Sequence, residues 1–170
     1  MATTQTNISK RFTVWEKWHD RDELPGIKYP GIYAIAYSDN DLSKSDFSWR
    51  KEIIYVGMTN SLSGLKGRLK QFDNTIVGKT GHGGADRVRY KYPDYNALVP
   101  KLYVSVAAFE CSPEKATSKD LLIMGDVEKF EYECFAHFQD IFGRLPEFND
   151  KKHSPKHSKK RKTKSGTEVS

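Results

Sequence analysis

Apolar residues recur along this chain with two different periods, and the switches between them lay out its elements. Residues 31–37 alternate, with Ile32, Ala34 and Ala36 on one side and Tyr33, Ile35 and Tyr37 on the other, which is the period of a strand. Residues 52–57 read as a second strand. The two runs are neighbours in sequence and are expected to pair as an extended hairpin across a Ser-, Asp- and Asn-rich loop at 38–50. Leu102, Val104, Val106 and Ala108 alternate against Tyr103, Ser105 and Ala107 in a third strand over 102–109. Leu62, Leu65, Leu69 and Phe72 follow a candidate N-cap at Ser61, and their spacing predicts an amphipathic helix with Lys66, Arg68 and Lys70 on its exposed side. Residues 73–100 hold Gly78, a glycine turn at 81–84, Pro93 and Pro100, and predict loop with at most one short helical piece. A long helix is expected from Ser118 to Phe142, stopped by Gly143 and Pro146. Trp15 and Trp18, at helical spacing, predict a short helix over 12–18.

These elements predict an α/β fold of the α+β kind: a small three-stranded antiparallel sheet flanked by helices, in a single domain over 30–150. Residues 1–29 are expected to form an N-terminal extension. Residues 151–170, low in complexity and without core-forming side chains, are expected to be a disordered basic tail.

With 37% hydrophobic and 29% charged residues, the 170-residue chain suits one soluble globular domain. No apolar stretch approaches the roughly 20 residues of a membrane helix. The N-terminus shows no hydrophobic signal region, and Cys111 and Cys134 make no disulfide framework, so a reducing cytoplasm is the expected setting. The net charge of +6 is unevenly spread: residues 151–170 carry +7 and the remaining chain −1. Residues 58–108 hold eight Lys and Arg against three acids, and residues 110–150 hold ten acids against four basic groups. Such a division suits a phosphate-binding wall opposite a metal-binding carboxylate; it is also what chance clustering on a solvated surface produces.

Helical geometry singles out Glu131. At about 100° per residue, Ile123, Val127, Phe130, Cys134, Phe138 and Ile141 form one stripe, widened by Met124, Phe135 and Phe142. Glu131 projects inside that arc, between Val127 and Phe135, whereas Glu133 falls on the polar face and Glu128 at the edge. A carboxylate in an apolar arc is costly unless paired or bound to a metal. A buried salt bridge to Arg68 and ligation of Mg²⁺ or Mn²⁺ are the two readings.

The other candidates are weaker singly. Tyr33 and Tyr55 are strand aromatics that can meet on one face of the sheet, and a phenol orients or deprotonates water only where nearby cations lower its pKa. Beside a phosphate, the planar fork of Arg68 offers two hydrogen bonds and a fixed charge. His82 lies in a glycine-rich turn where it can relay protons. Asn149 can simply end a turn. Lys66, Lys70, Arg87, Arg89 and Lys91 are candidate DNA contacts. Cys111, Cys134 and His137 form an incomplete zinc set, and a thiol in the core is the plainer reading of Cys134.

Taken in order, Gly31-Ile32-Tyr33, Tyr55-Val56-Gly57, Gly67-Arg68-Leu69, His82, Glu131 in its helix and Asn149 in Pro146-Glu147-Phe148-Asn149 resemble the signature of the GIY-YIG nucleases over residues 30–150. The resemblance implies a three-stranded antiparallel sheet with flanking helices and cleavage of DNA phosphodiesters with one divalent metal. It implies that Tyr33 and Tyr55 handle the attacking water and the scissile phosphate, and that Arg68 stabilises developing charge. Glu131 would hold the metal, with Glu128 as the fallback ligand, His82 would assist proton transfer and Asn149 would support the site. The insert at 38–50 and the long spacing from Glu131 to Asn149 depart from the family pattern.

The expectation is therefore a Mg²⁺- or Mn²⁺-dependent DNA endonuclease, a site-specific, stand-alone enzyme of restriction type, with a homodimer expected on a palindromic target. A repair or mobile-element nuclease is the neighbouring alternative. A non-catalytic nucleic-acid-binding protein tethered by its basic tail is the alternative of a different class.

Overall fold

The strand predicted at 31–37 lies in the interior of the sheet, with partners on both sides. The computed structural model describes residues 7–157. It contains four strands, β1 (Glu16–Lys17), β2 (Gly31–Tyr37), β3 (Ile53–Thr59) and β4 (Leu102–Ala108), all antiparallel and in the spatial order β1-β4-β2-β3. The predicted hairpin of β2 with β3 forms, with Tyr33 opposite Gly57 and Ile35 opposite Tyr55. The sheet has four strands rather than three because Glu16 and Lys17 pair with Val104 and Tyr103 on the free edge of β4.

The helices include α1 (Gly64–Val77), α2 (Gly83–Lys91), α3 (Tyr95–Leu98) and α4 (Ser118–Phe142), with short 3-10 segments at Trp18–Glu23, Val99–Lys101 and Glu147–Asn149. α4 begins and ends where its caps place it. Thr117 and Asp120 form a reciprocal capping box, and Gly143 closes the helix in the left-handed conformation at φ 68°. The stretch 73–100, expected to be mostly loop, instead holds α2, α3 and the end of α1.

Side-chain alternation splits the core into two layers. Ile32, Ala34, Ala36 and Val56 pack with Phe130, Cys134 and Phe138 of α4 on one face. Tyr33, Ile35, Val104 and Val106 pack with Leu65, Leu69 and Phe72 of α1 and Ala85 and Val88 of α2 on the other. The register shifts between Ile35 and Ala36, which pair with Tyr55 and Ile53. Ile54 is the extra residue of this bulge, so Ile53 shares a face with Val56 while Ile54 joins the opposite core.

Trp15 and Trp18 do not share a helix. Both are fully buried, in opposite layers, because strand β1 and the 3-10 turn carry the chain past the sheet edge between them. Residues 7–29 are thus part of the same packed body rather than an extension to it. The C-terminal boundary shifts as well. Residues 151–157, expected to belong to the tail, fold back on the domain: Ser154 is buried, its amide donates to the Asp150 carbonyl and its hydroxyl to that of Glu147. The rest of the expected tail, 158–170, lies outside the described residues. Among the described residues, no helix is long and apolar enough to cross a membrane.

Candidate active site

Tyr33 projects from β2 toward α1 and α2, fully buried, with its hydroxyl 2.7 Å from His82 Nε2. The other ring nitrogen settles the tautomer. His82 is the N-cap of α2, and its Nδ1 accepts the Ala85 amide hydrogen at 3.2 Å. The neutral ring therefore carries its hydrogen on Nε2 and donates it to Tyr33, leaving the phenol hydrogen free to point elsewhere. Burial, reinforced by the Arg68 charge, pushes the His82 pKa down to about 3, so the ring stays neutral under physiological conditions. His82 thus acts as a donor to the Tyr33 oxygen, and the expected proton relay through its ring is replaced by a fixed hydrogen bond.

Tyr55 reaches the same face from β3, its ring centroid 5.9 Å from that of Tyr33 and 5.6 Å from that of His82. Two glycines make room for this packing. A Cβ on Gly57 would sit 2.5 Å from the Tyr33 hydroxyl, and one on Gly84 would sit 2.4 Å from the Tyr55 ring. Burial raises both phenol pKa values, that of Tyr33 well above its usual value, with Arg68 acting in the opposite direction on each. Both therefore stay protonated at neutral pH. They are placed to orient groups by hydrogen bonding rather than to strip protons.

Arg68 sits on α1, half-buried, its Nη1 donating to Gln71 Oε1 while its Nε has no hydrogen-bond partner. Gln71 in turn donates from Nε2 to the Gly81 carbonyl, 3.0 Å away. Thr75, one turn further along, accepts the His82 amide hydrogen and donates to the Gln71 carbonyl. Arg68, Gln71 and Thr75 thus form a polar row on one side of α1 that fixes the His82 loop relative to the guanidinium. Gln71 and Thr75 had not been singled out from the sequence. Their signal is spacing: they lie three and seven residues beyond Arg68, on one helical face.

Glu131 belongs to α4, on the far side of the sheet, but the Arg68 charge reaches it and its own charge reaches Tyr55. β3, the edge strand, lies between them. The Glu131 carboxyl is half-buried, and burial pushes its pKa up to about 7, with Arg68 pulling it down and Glu128 adding to the rise. No salt bridge to Arg68 forms; the ion pairs among the described residues lie elsewhere. Glu128 is exposed, and Glu133 pairs with Lys129 on the polar face. No group of three or more His, Cys, Asp or Glu gathers among the described residues, and Cys134 lies in the core beside Phe130 and Phe138. A lone, half-buried carboxylate without a hydrogen-bonding partner does fit Mg²⁺ or Mn²⁺, which keeps several waters and accepts phosphate oxygens as its other ligands.

Asn149 takes a structural place. Its Oδ1 accepts the Val56 amide hydrogen at 2.9 Å and its Nδ2 donates to the Val56 carbonyl at 2.7 Å. The side-chain amide stands in for a neighbouring strand on the outer edge of β3, between Tyr55 and Gly57. Of the candidate DNA contacts, Lys66 and Lys70 are exposed on α1. Arg87 and Arg89 are not surface groups, with 6% exposure each. Arg87 donates to the Phe148 carbonyl and Arg89 pairs with Asp86, so neither offers its guanidinium to a docked duplex. The Arg87 charge instead reaches Tyr55 and His82, lowering the pKa of each. Lys91 pairs with Glu147.

No family model matches the chain, and no curated protein or solved structure matches it.

Proposed function

We propose that the chain is a metal-dependent DNA endonuclease, cutting at specific sites in the manner of a restriction enzyme. The observation that carries this reading is the meeting of Tyr33, Tyr55, His82 and Arg68 on one side of the β3 edge with the unpaired carboxyl of Glu131 beyond it. These groups come from β2, β3, α1, the start of α2 and α4, and core packing accounts for the rings but not for the unpartnered Arg68 Nε or the unpaired Glu131 carboxyl.

In this reading the scissile phosphate lies against Arg68, whose free Nε–H and remaining guanidinium hydrogens supply charge-assisted hydrogen bonds to its oxygens. The buried Tyr33 hydroxyl, fixed from behind by His82, directs its own hydrogen toward Tyr55, whose partly exposed hydroxyl meets the attacking water or a phosphate oxygen. Water attacks phosphorus, the bond to the 3′-oxygen breaks, and the strand is left with a 5′-phosphate and a 3′-hydroxyl. Glu131 would hold Mg²⁺ or Mn²⁺, which would supply a water of lowered pKa and positive charge for the reaction. Gln71 and Thr75 keep the guanidinium and the His82–Tyr33 pair in one frame.

Supercoiled plasmid incubated with the purified protein, with and without Mg²⁺, tests this reading. Discrete Mg²⁺-dependent fragments are expected. A smear would replace the restriction reading with non-specific cutting, and intact plasmid would leave a nucleic-acid-binding protein.

A further inference from the structure

A groove of about 540 Å³ runs from Arg68 toward the loop after β3, lined among others by Thr59, Asn60, Ser61, Ser63 and Gly67. None of its lining residues is acidic. The geometry points to this groove as the track for the sugar–phosphate strand flanking the scissile phosphate, with the exposed Ser61 and Ser63 hydroxyls, backed by Thr59, as the contacts to a neighbouring phosphate. The inference rests on the nuclease reading for its substrate class and adds a site that the charged candidates did not include.

Three features support it. The hydroxyls form a chain in which Thr59 donates to Ser61 at 2.9 Å, and Ser61 and Ser63 share one hydrogen at 3.1 Å. Three hydroxyl hydrogens serve two contacts, so one stays free for an outside acceptor whichever serine donates. A buried donor on a residue lining the groove, Arg68 Nε, also lacks a partner. An unpaired buried donor is costly in the free protein and suits a ligand that brings acceptors, as a phosphodiester does. Finally, Asn60 is tied to the helix that carries Glu131, through a 3.0 Å hydrogen bond from its Nδ2 to the Met124 carbonyl. The groove is thereby held in register with both sides of the site. The α1 N-terminus itself contributes no anion site. Its Gly64, Leu65 and Lys66 amides are already spent on the Ser61, Tyr29 and Ile27 carbonyls.

The test reverses the sign of charge in the groove and reads binding without cutting. Ser61 is exposed, so Ser61→Lys and Ser61→Glu leave the core untouched. Binding of a short fluorescein-labelled duplex is measured by anisotropy in EDTA over a range of salt. Ser61→Lys should bind more tightly and steepen the dependence of log affinity on log salt by about 0.9, the contribution of one more neutralised phosphate. Ser61→Glu should bind about tenfold more weakly at low salt, where charge contacts dominate. Asn96→Lys, at the opposite edge of the sheet, should leave the slope unchanged. A Ser61→Lys slope equal to that of wild type, or unchanged affinity in Ser61→Glu, overturns the proposal. A protein that cuts plasmid while its Ser61 variants bind like wild type keeps the nuclease reading and loses the groove. One that never cuts but responds to charge at Ser61 keeps the groove as a nucleic-acid contact and loses the nuclease.

Discussion

Asn149 pairs with Val56 as one residue of an added strand would, giving and receiving one hydrogen bond with the same backbone unit. The contact closes the outer edge of β3 at the residue between Tyr55 and Gly57, and it ties the strand to the segment that also receives Arg87 and Lys91. Its loss is felt first in stability. Asn149→Ala removes both bonds and leaves the Val56 amide and carbonyl to find water at a half-buried edge, for an expected loss of about 2–3 kcal/mol. Asn149→Asp keeps the acceptor but sets a carboxylate oxygen against the Val56 carbonyl, and should be no better. Urea unfolding of the two variants checks this; midpoints equal to that of wild type would show that the edge needs no clamp.

Glu131 makes stability depend on pH in an unusual direction. Its folded pKa, about 7, lies above the ordinary value of 4.5, so the native state holds its proton more tightly than the unfolded chain. The contribution is fully present below about pH 4.5 and is lost as pH rises toward 7, where the carboxyl ionises in a poorly solvated place. Relative to wild type, Glu131→Gln should therefore be more stabilising at pH 8 than at pH 5. Mg²⁺ should raise the melting temperature of wild type at pH 8 and leave that of Glu131→Gln unmoved. Thermal melts at the two pH values, with and without Mg²⁺, read both effects. Equal Mg²⁺ shifts in the two proteins would place the cation elsewhere.

Gln71 holds Arg68 against the His82 loop. Gln71→Leu frees the guanidinium from the His82 loop, and small misplacements of a catalytic group cost up to about a hundredfold in rate. Single-turnover cutting should slow while the affinity for DNA stays near wild type, and Gln71→Glu, which still accepts from Arg68, should restore part of the rate. Arg68→Lys should slow cutting more than either, because an ammonium cannot supply the two-pronged contact. Equal loss of affinity and rate in Gln71→Leu would make the residue a structural one.

The C-terminus should behave as two pieces. Removing 158–170 deletes five basic residues, each able to add about 0.9 to the salt slope through one phosphate. It should flatten that slope without lowering stability. Removing 151–170 also takes away Ser154 and its bonds to the Glu147 and Asp150 carbonyls, next to the Asn149 clamp, and should lower the melting temperature too. Equal melting temperatures for the two truncations would return the boundary to residue 150.

The elements with local signals were legible in the sequence. β2 alternates cleanly, and α4 is bounded by Thr117 and Gly143 through their own chemistry. Where two local readings share a spacing, tertiary packing chose. Three residues apart is one face of a helix, but it is also opposite faces of an extended chain, and Trp15 and Trp18 took the second. α2 was hidden because a histidine caps it, where Ser, Thr, Asp or Asn is the usual signal. The glycines beside it read as a turn, although Gly84 is small in order to admit the Tyr55 ring. Arg87 and Arg89 were taken for surface cations because charge alone does not reveal burial. The apolar arc around Glu131 did foretell a poorly solvated carboxyl, since helical geometry alone sets which neighbours it has.

The most direct test is a side-by-side cleavage assay of supercoiled plasmid in Mg²⁺ by wild type, Tyr33→Phe and Glu131→Gln, all purified in the same way. Wild type should linearise or fragment the plasmid, and both variants, which keep the fold and lose one polar group of the site each, should leave it supercoiled. Intact plasmid with wild type, or cutting by Glu131→Gln at the wild-type rate, would contradict the account.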